Sequence, residues 1–169
     1  MNTMTLAQMD WDRYGDTFQK AIFETLYMVS ITLLISSVLG LIIGLLLYTT
    51  RKGGILQNRV VYWITNFLVN FIRPIPFIIL LTAIGPLTDL VVQSRIGTEA
   101  AIVGMVVAAT FGAARIFEQN LVAIDPGVIE AAKAMGASPL KIIFTVIIPE
   151  ALGPLILGFT FMFLSLIHI

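Results

Sequence analysis

The sequence predicts an all-α, polytopic membrane helical bundle, and three observations lead there. Hydrophobic residues make up 58% of the 169 positions and charged ones only 12%, whereas a soluble domain carries about a quarter charged residues. With a mean hydropathy of +0.97, the medium that suits such a chain is a bilayer. The stretch from Thr25 to Thr50 holds no charge, which exceeds the roughly 20 residues a membrane helix needs. The charges that do occur sit between apolar blocks. Their sum is zero, so no global field points to a nucleic-acid partner. The absence of cysteine excludes disulfides, thiolate zinc sites and a cysteine nucleophile. No metal and no cofactor is expected.

Residues 1–20, whose first sixteen set Asp10, Asp12 and Asp16 against Arg13, lack the basic start of a cleavable signal peptide. They read as an external N-terminal segment ahead of one transmembrane domain over 21–169. The first span runs over about 21–48, and at ~1.5 Å per residue it exceeds a hydrocarbon core of ~30 Å, so it crosses with tilt. Gly40 and Gly44 form a small-xxx-small pair, but glycine is common in membrane helices, and ordinary composition is the stronger reading. The following loop, Thr49 to Arg59, carries Arg51, Lys52 and Arg59 with no acid, which makes it cytoplasmic by the positive-inside rule and the N-terminus external.

A second span over 60–85 is broken by Arg73, Pro74 and Pro76, and a third covers 96–117 around the uncharged stretch 100–114. The connector GPLTDLVVQSRIG suits a short external loop holding a brief interfacial helix. A polar cytoplasmic loop over 118–141 leads to a fourth span over 142–167, interrupted by Pro149, Glu150 and Pro154.

The loop IDPGVIEAAKAMGASPLKIIFTVIIPEA is punctuated for two short helices. Asp125 can cap and Pro126 can start the first, because the first N–H groups of a helix lack partners anyway. Gly136 can end it; Ser138 and Pro139 repeat the start signal for a second helix that Pro149 disturbs. Val128, Ile129, Ala132 and Met135 share one face, while Glu130 and Lys133 lie off it and can pair. A helix of ~10 residues is marginal alone in water, so this one needs a surface to dock against.

Glu130-Ala131-Ala132, then Gly136, Val146 and Pro149 resemble the EAA loop of ABC importer permeases: E-A-A, three residues, G, nine residues, I, one residue, L-P. Val146 stands in place of isoleucine and Ile148 in place of leucine. The resemblance covers nearly the whole chain, and FIRPIPFIILL with EAAKAMGASPLKI is most similar to the methionine importer permeases. It implies a type I permease of a bacterial inner membrane, surrounded by lipid, working as a homodimer with five spans per subunit, of which four are present here. It also implies a cytoplasmic ABC ATPase that receives Glu130, Ala131, Ala132, Gly136 and Pro149, and an extracytoplasmic substrate-binding lipoprotein. The imported substrate would be an amino acid, methionine in the first instance. No G-x-x-x-x-G-K-[ST] loop occurs, so ATP hydrolysis belongs to a separate chain and this one is not an enzyme.

Three alternatives stay open: a permease for another amino acid or peptide, an ATP-independent secondary transporter or scaffold whose loop only connects spans, and an amphipathic helix lying on the membrane surface.

Arg73, with Pro74 and Pro76, is a candidate for the translocation path or a gate, weighed evenly against Arg73 snorkelling to the surface. Arg115 and Glu118 read as a helix-end pair. Met28, Met105 and Met162 read as packing rather than a thioether-lined path. His168 receives no role. The tail from Leu164 to Ile169 also resembles one reading frame of a transposase end used in sequencing libraries, which implies a truncated reading frame.

Overall fold

The computed structural model describes residues 11–167, all helix and short turns with no strand among them. In chain order the elements are α1 (Trp11–Thr50), α2 (Arg59–Ile72), α3 (Phe77–Ala83), α4 (Gly85–Val92), α5 (Thr98–Val122), α6 (Pro126–Ala134), α7 (Pro139–Ile142), a π-helical stretch Ile143–Ile147, and α8 (Ile148–Ile167). Gly15–Thr50, Thr98–Val122 and Pro139–Ile167 are each long and apolar enough to cross a membrane, and α2 with α3, bent by 114° at the break between them, makes a fourth when the pair is counted as one span. Large apolar side chains such as Phe23, Leu34, Phe67 and Ile78 face outward. That arrangement suits lipid, where helices satisfy their own backbone groups and apolar exposure costs nothing. Residues 1–10 of the N-terminal segment, and His168, lie outside the described residues.

The bundle is built on α1 and α5, which run side by side in the same direction. Gly40 packs on Thr110 and Ala113, and one turn later Gly44 packs on Ala114 and Phe117. A β-carbon at Gly40 would sit 2.5 Å from the Ala113 Cβ, and one at Gly44 would sit 2.9 Å from the Ala114 carbonyl oxygen. Both distances are well inside the ~3.5–4.0 Å of van der Waals contact, so only glycine permits this approach. The glycine pair is therefore a packing face, not incidental composition. In a membrane, where burial of apolar surface gives no net drive, such close backbone approach is a main source of helix association.

The last crossing, α8, returns along α5. The Asn120 side-chain N–H donates to the Pro154 carbonyl at 2.8 Å, and a β-carbon at Gly158 would meet Ile116 at 2.9 Å. Met105 and Met162 lie in this core and Met28 packs against it.

Four boundaries differ from the sequence reading, the first being that α1 begins at Trp11, inside the segment 1–20 read as preceding the first span. The second block is two helices meeting at 114°, since Pro74 and Pro76 cannot donate backbone hydrogen bonds and the residue before a proline disfavours helix. The third helix continues to Val122 rather than stopping near residue 117. Arg115 and Glu118 neutralise each other at 2.6 Å, while Phe117 and Leu121 enter the core. The last span begins within the second loop helix: α7 passes directly into the π stretch, where the Ile148 N–H donates five residues back to Ile143. Proline at 149 has no N–H to contribute, and the wider turn falls just before it.

Replacing Gly44 by leucine is expected to force α1 from α5 and lower stability by about 1–3 kcal/mol or more, the usual cost of overpacking. Leucine at Ile42, which is exposed on the same helix, should change little. Thermal unfolding in detergent, read for both variants, checks this.

Candidate coupling helix and broken span

Local chemistry fixes α6 at both ends. Asp125 Oδ1 accepts the Gly127 N–H at 2.8 Å, and Pro126 occupies the first turn. At the other end the Gly136 N–H donates to Lys133 O at 2.9 Å and the Ala137 N–H to Ala132 O at 3.1 Å, with Gly136 at φ +76°. This pair of bonds is a Schellman motif, and its left-handed residue is the glycine of the E-A-A-x-x-x-G spacing. Ser138 then caps α7 by accepting the Lys141 N–H at 3.4 Å.

The expected apolar face of α6 divides. Ile129 and Ala132 are buried in the cluster that holds Tyr48, Ile142, Ile143 and Ile147. Val128 and Met135 point outward instead, Met135 being 81% exposed. The chain turns back at Gly136 beneath the Ile129 side, and among the described residues nothing covers Met135. Val128, Ala131 and Met135, spaced three and four apart, therefore form a second apolar stripe open to a partner. Glu130 and Lys133 are exposed as well. The ion pairs among the described residues are Lys20–Glu24, Arg95–Asp89 and Arg115–Glu118, so the expected Glu130–Lys133 pair does not form. Pro149 is exposed at the start of α8, apart from Glu130 along the chain and separated from it by the π stretch.

α6 rests against the end of α1 across a cleft of about 100 Å³ lined by Tyr48, Arg51, Gly54, Ile129, Glu130 and Lys133. The Arg51 guanidinium lies 4.4 Å from the centre of the Tyr48 ring, a cation–π contact. The basic loop after α1 and the E-A-A helix thus share one end of the bundle.

The second group lies elsewhere. Arg73 terminates α2, its N–H donating to Val69 O at 3.2 Å, and Pro74 and Pro76 form the joint into α3. All three are exposed. α3 leans on α5, where a β-carbon at Gly104 would sit 2.5 Å from Leu81 Cδ1. The fourteen residues of α2 separate Arg73 from the basic loop by about 20 Å at ~1.5 Å per residue, so the two groups are not neighbours.

The sequence reading missed a polar network between α2 and α5. Arg115 Nη1 donates to Glu118 Oε2 at 2.6 Å and to Asn66 Oδ1 at 3.3 Å, and Asn70 Nδ2 donates to the same Asn66 oxygen at 3.2 Å. Glu118 is buried at 7% exposure, so the bond to Arg115 answers a charge that would otherwise be costly. Two asparagines four apart in an apolar block were the available signal.

Residues 36–168 match the family model of the binding-protein-dependent transport system inner membrane component. The chain belongs to this family. As a member it is a multi-pass membrane protein and a transport component rather than a catalytic one. It is 43% identical over 148 residues to the D-methionine transport system permease protein MetI of Yersinia pestis, covering 88% of this chain and 68% of that protein. To the D-methionine transport system permease protein MetI of Escherichia coli (strain K12) it is 41% identical over the same shares. An inward-facing conformation of the MetNI methionine ABC transporter superposes with a TM-score of 0.85 at 41% identity, over 88% of this chain and 69% of that one. An amino acid ABC transporter with histidines shares the fold at a TM-score of 0.77 and 20% identity, over 98% and 74% of the two chains. The all-α permease bundle read from the sequence is the fold of this family.

Removing the punctuation of the permease's α6 should loosen it. Asp125→Ala is expected to cost about 1 kcal/mol and Gly136→Ala about 1–2 kcal/mol, equivalent to amide exchange over residues 126–134 faster by roughly 5- to 30-fold. Hydrogen–deuterium exchange in detergent or nanodiscs measures it.

Proposed function

We propose that this chain is the membrane-spanning permease subunit of an ATP-driven methionine importer, with α6 as the helix that receives the motion of a cytoplasmic ATPase. The observation that carries the reading is the open Val128–Ala131–Met135 stripe on a helix capped at both ends. It lies beside exposed Glu130 and at the same end as the basic loop. A rigid, doubly capped helix transmits force; Ala131 allows close approach, and the buried Ile129 and Ala132 tie α6 to α7, the π stretch and α1.

The similarity to methionine transport permeases and to the MetNI methionine ABC transporter supports the substrate and the ATPase partner. In this reading the protein works as a homodimer fed by an extracytoplasmic substrate-binding lipoprotein. Residues 1–20 lie outside, and the loop over 118–141 is cytoplasmic, as the cations Arg51, Lys52 and Arg59 favour. The membrane-embedded spans in this reading cover about 21–48, 60–85, 96–117 and 142–167, and the helices extend past several of these limits. We read Arg73, Pro74 and Pro76 as part of the translocation path or its gate, a reading supported by the 114° bend between α2 and α3 and by the roughly 20 Å of helix between Arg73 and the basic loop. Pro149 starts the rod that leads from the loop into the membrane.

The test is methionine uptake by cells co-expressing the full-length locus with its ATPase and binding protein. Gly136→Pro and Glu130→Lys are expected to abolish uptake and ATPase association while membrane insertion persists. Unchanged uptake in both would reduce the loop to a connector, uptake independent of the ATPase would identify a secondary transporter, and no methionine uptake in the wild type would reject the substrate.

A further inference from the structure

The second crossing carries a continuous polar strip that the coupling reading does not use. Arg59, Tyr62, Asn66, Asn70 and Arg73 follow one another at intervals of three or four residues, so they lie along one face of α2 from end to end. Arg59, Asn70 and Arg73 are exposed, and Tyr62 and Asn66 partly so. The helix has two other faces. Val69 is fully buried toward the bundle. Val60, Ile64, Phe67 and Phe71 are exposed, with the Phe67 and Phe71 rings stacked at 5.7 Å, and this surface suits lipid.

The polar strip does not suit lipid. Asn66 Oδ1 accepts from Asn70 and Arg115, but the remaining amide groups of Asn66 and Asn70 have no protein partner among the described residues. An unsatisfied amide in hydrocarbon costs several kcal/mol and an arginine at depth costs at least as much, so a crossing that exposes both turns this face to water or to other protein, not to lipid. The strip also opens at an existing cavity. At its Arg59 end a space of about 380 Å³ is lined by Arg59, Tyr62 and Trp63 of α2 together with Lys52 and Gln57 of the basic loop. Its other end is the broken joint at Arg73.

The groups along the strip are cations and amides. The carboxylate next to it, Glu118, is held by Arg115 at 2.6 Å and is buried. Such a lining favours a solute that brings its own carboxylate. Resting on the importer reading above, we propose that the Asn66–Asn70–Arg73 face of α2 is one wall of the hydrated passage, and that it receives the carboxylate of a small amino-acid-like solute between the Arg73 joint and the Arg59 cavity.

The chain has no cysteine, so single cysteines report directly. In the assembled transporter in membranes, Asn70→Cys and Arg73→Cys are expected to react at least about tenfold faster with water-requiring methanethiosulfonates than Ile64→Cys or Phe71→Cys on the apolar face. At Asn70→Cys, an anionic sulfonate reagent should be favoured over a cationic ammonium one relative to their rates with a free thiol. Adding Arg73→Gln should remove that preference. Labelling at Asn70→Cys no faster than at Ile64→Cys would overturn the passage, as would oxidation that links two Asn70→Cys copies while labelling stays slow, since the face would then be a contact between copies. Fast labelling without charge preference would overturn the carboxylate assignment. None of these readings uses methionine, so they stand or fall separately from uptake.

Discussion

Everything else in this bundle hangs on the contact between α1 and α5 at Gly40 and Gly44. Two parallel crossings are held at backbone distance by two residues without side chains, and the core forms around them: Phe117 and Leu121 on one helix, Leu47 and Tyr48 on the other. Once that pair is set, α8 has a groove to fill and Gly158 lets it come equally near. α2 and α3 then bend around the remaining side. With lipid tails as apolar as leucine, shape must do what the hydrophobic effect does in water.

Much of this was legible in the sequence, and the misses have physical causes. Capping residues speak locally: Asp125, Pro126, Gly136 and Ser138 act on backbone groups within a few residues, and each does in the structure what its chemistry predicts. Hydropathy likewise marked the long apolar helices, because a bilayer imposes a length. What sequence could not deliver was anything decided between helices. Gly40 and Gly44 looked ordinary because small-residue spacing has no meaning until a second helix is placed on it. Met135 was grouped with Ile129 and Ala132 on one face because periodicity identifies a face but not its width, and in the structure only Ile129 and Ala132 of these are buried.

The polar residues divide along the same line. Arg115 and Glu118 were read as neighbours on one helix, and they are; the bond from Arg115 to Asn66, 49 residues away, depends on how α2 crosses α5. That link makes the pair part of an inter-helix tie. Arg73 is the complementary case, since its exposure depends on the 114° joint that two prolines create.

The π-helical stretch has a mechanical consequence. From Pro139 to Ile167 the backbone is helical throughout, 29 residues without a loop. In the coupling role proposed above, a push delivered beside α6 meets no slack chain along this helix and is carried its full length as in a lever. The regular ladder is broken at Ile143–Ile147, where hydrogen bonds skip an extra residue just before Pro149, and Pro154 removes a further N–H inside α8. Gaining or losing that extra residue turns everything beyond it by about 100° around the axis, at 3.6 residues per turn. Force and rotation are thereby separable in one element: the rod carries the first, and the wide turn sets the second.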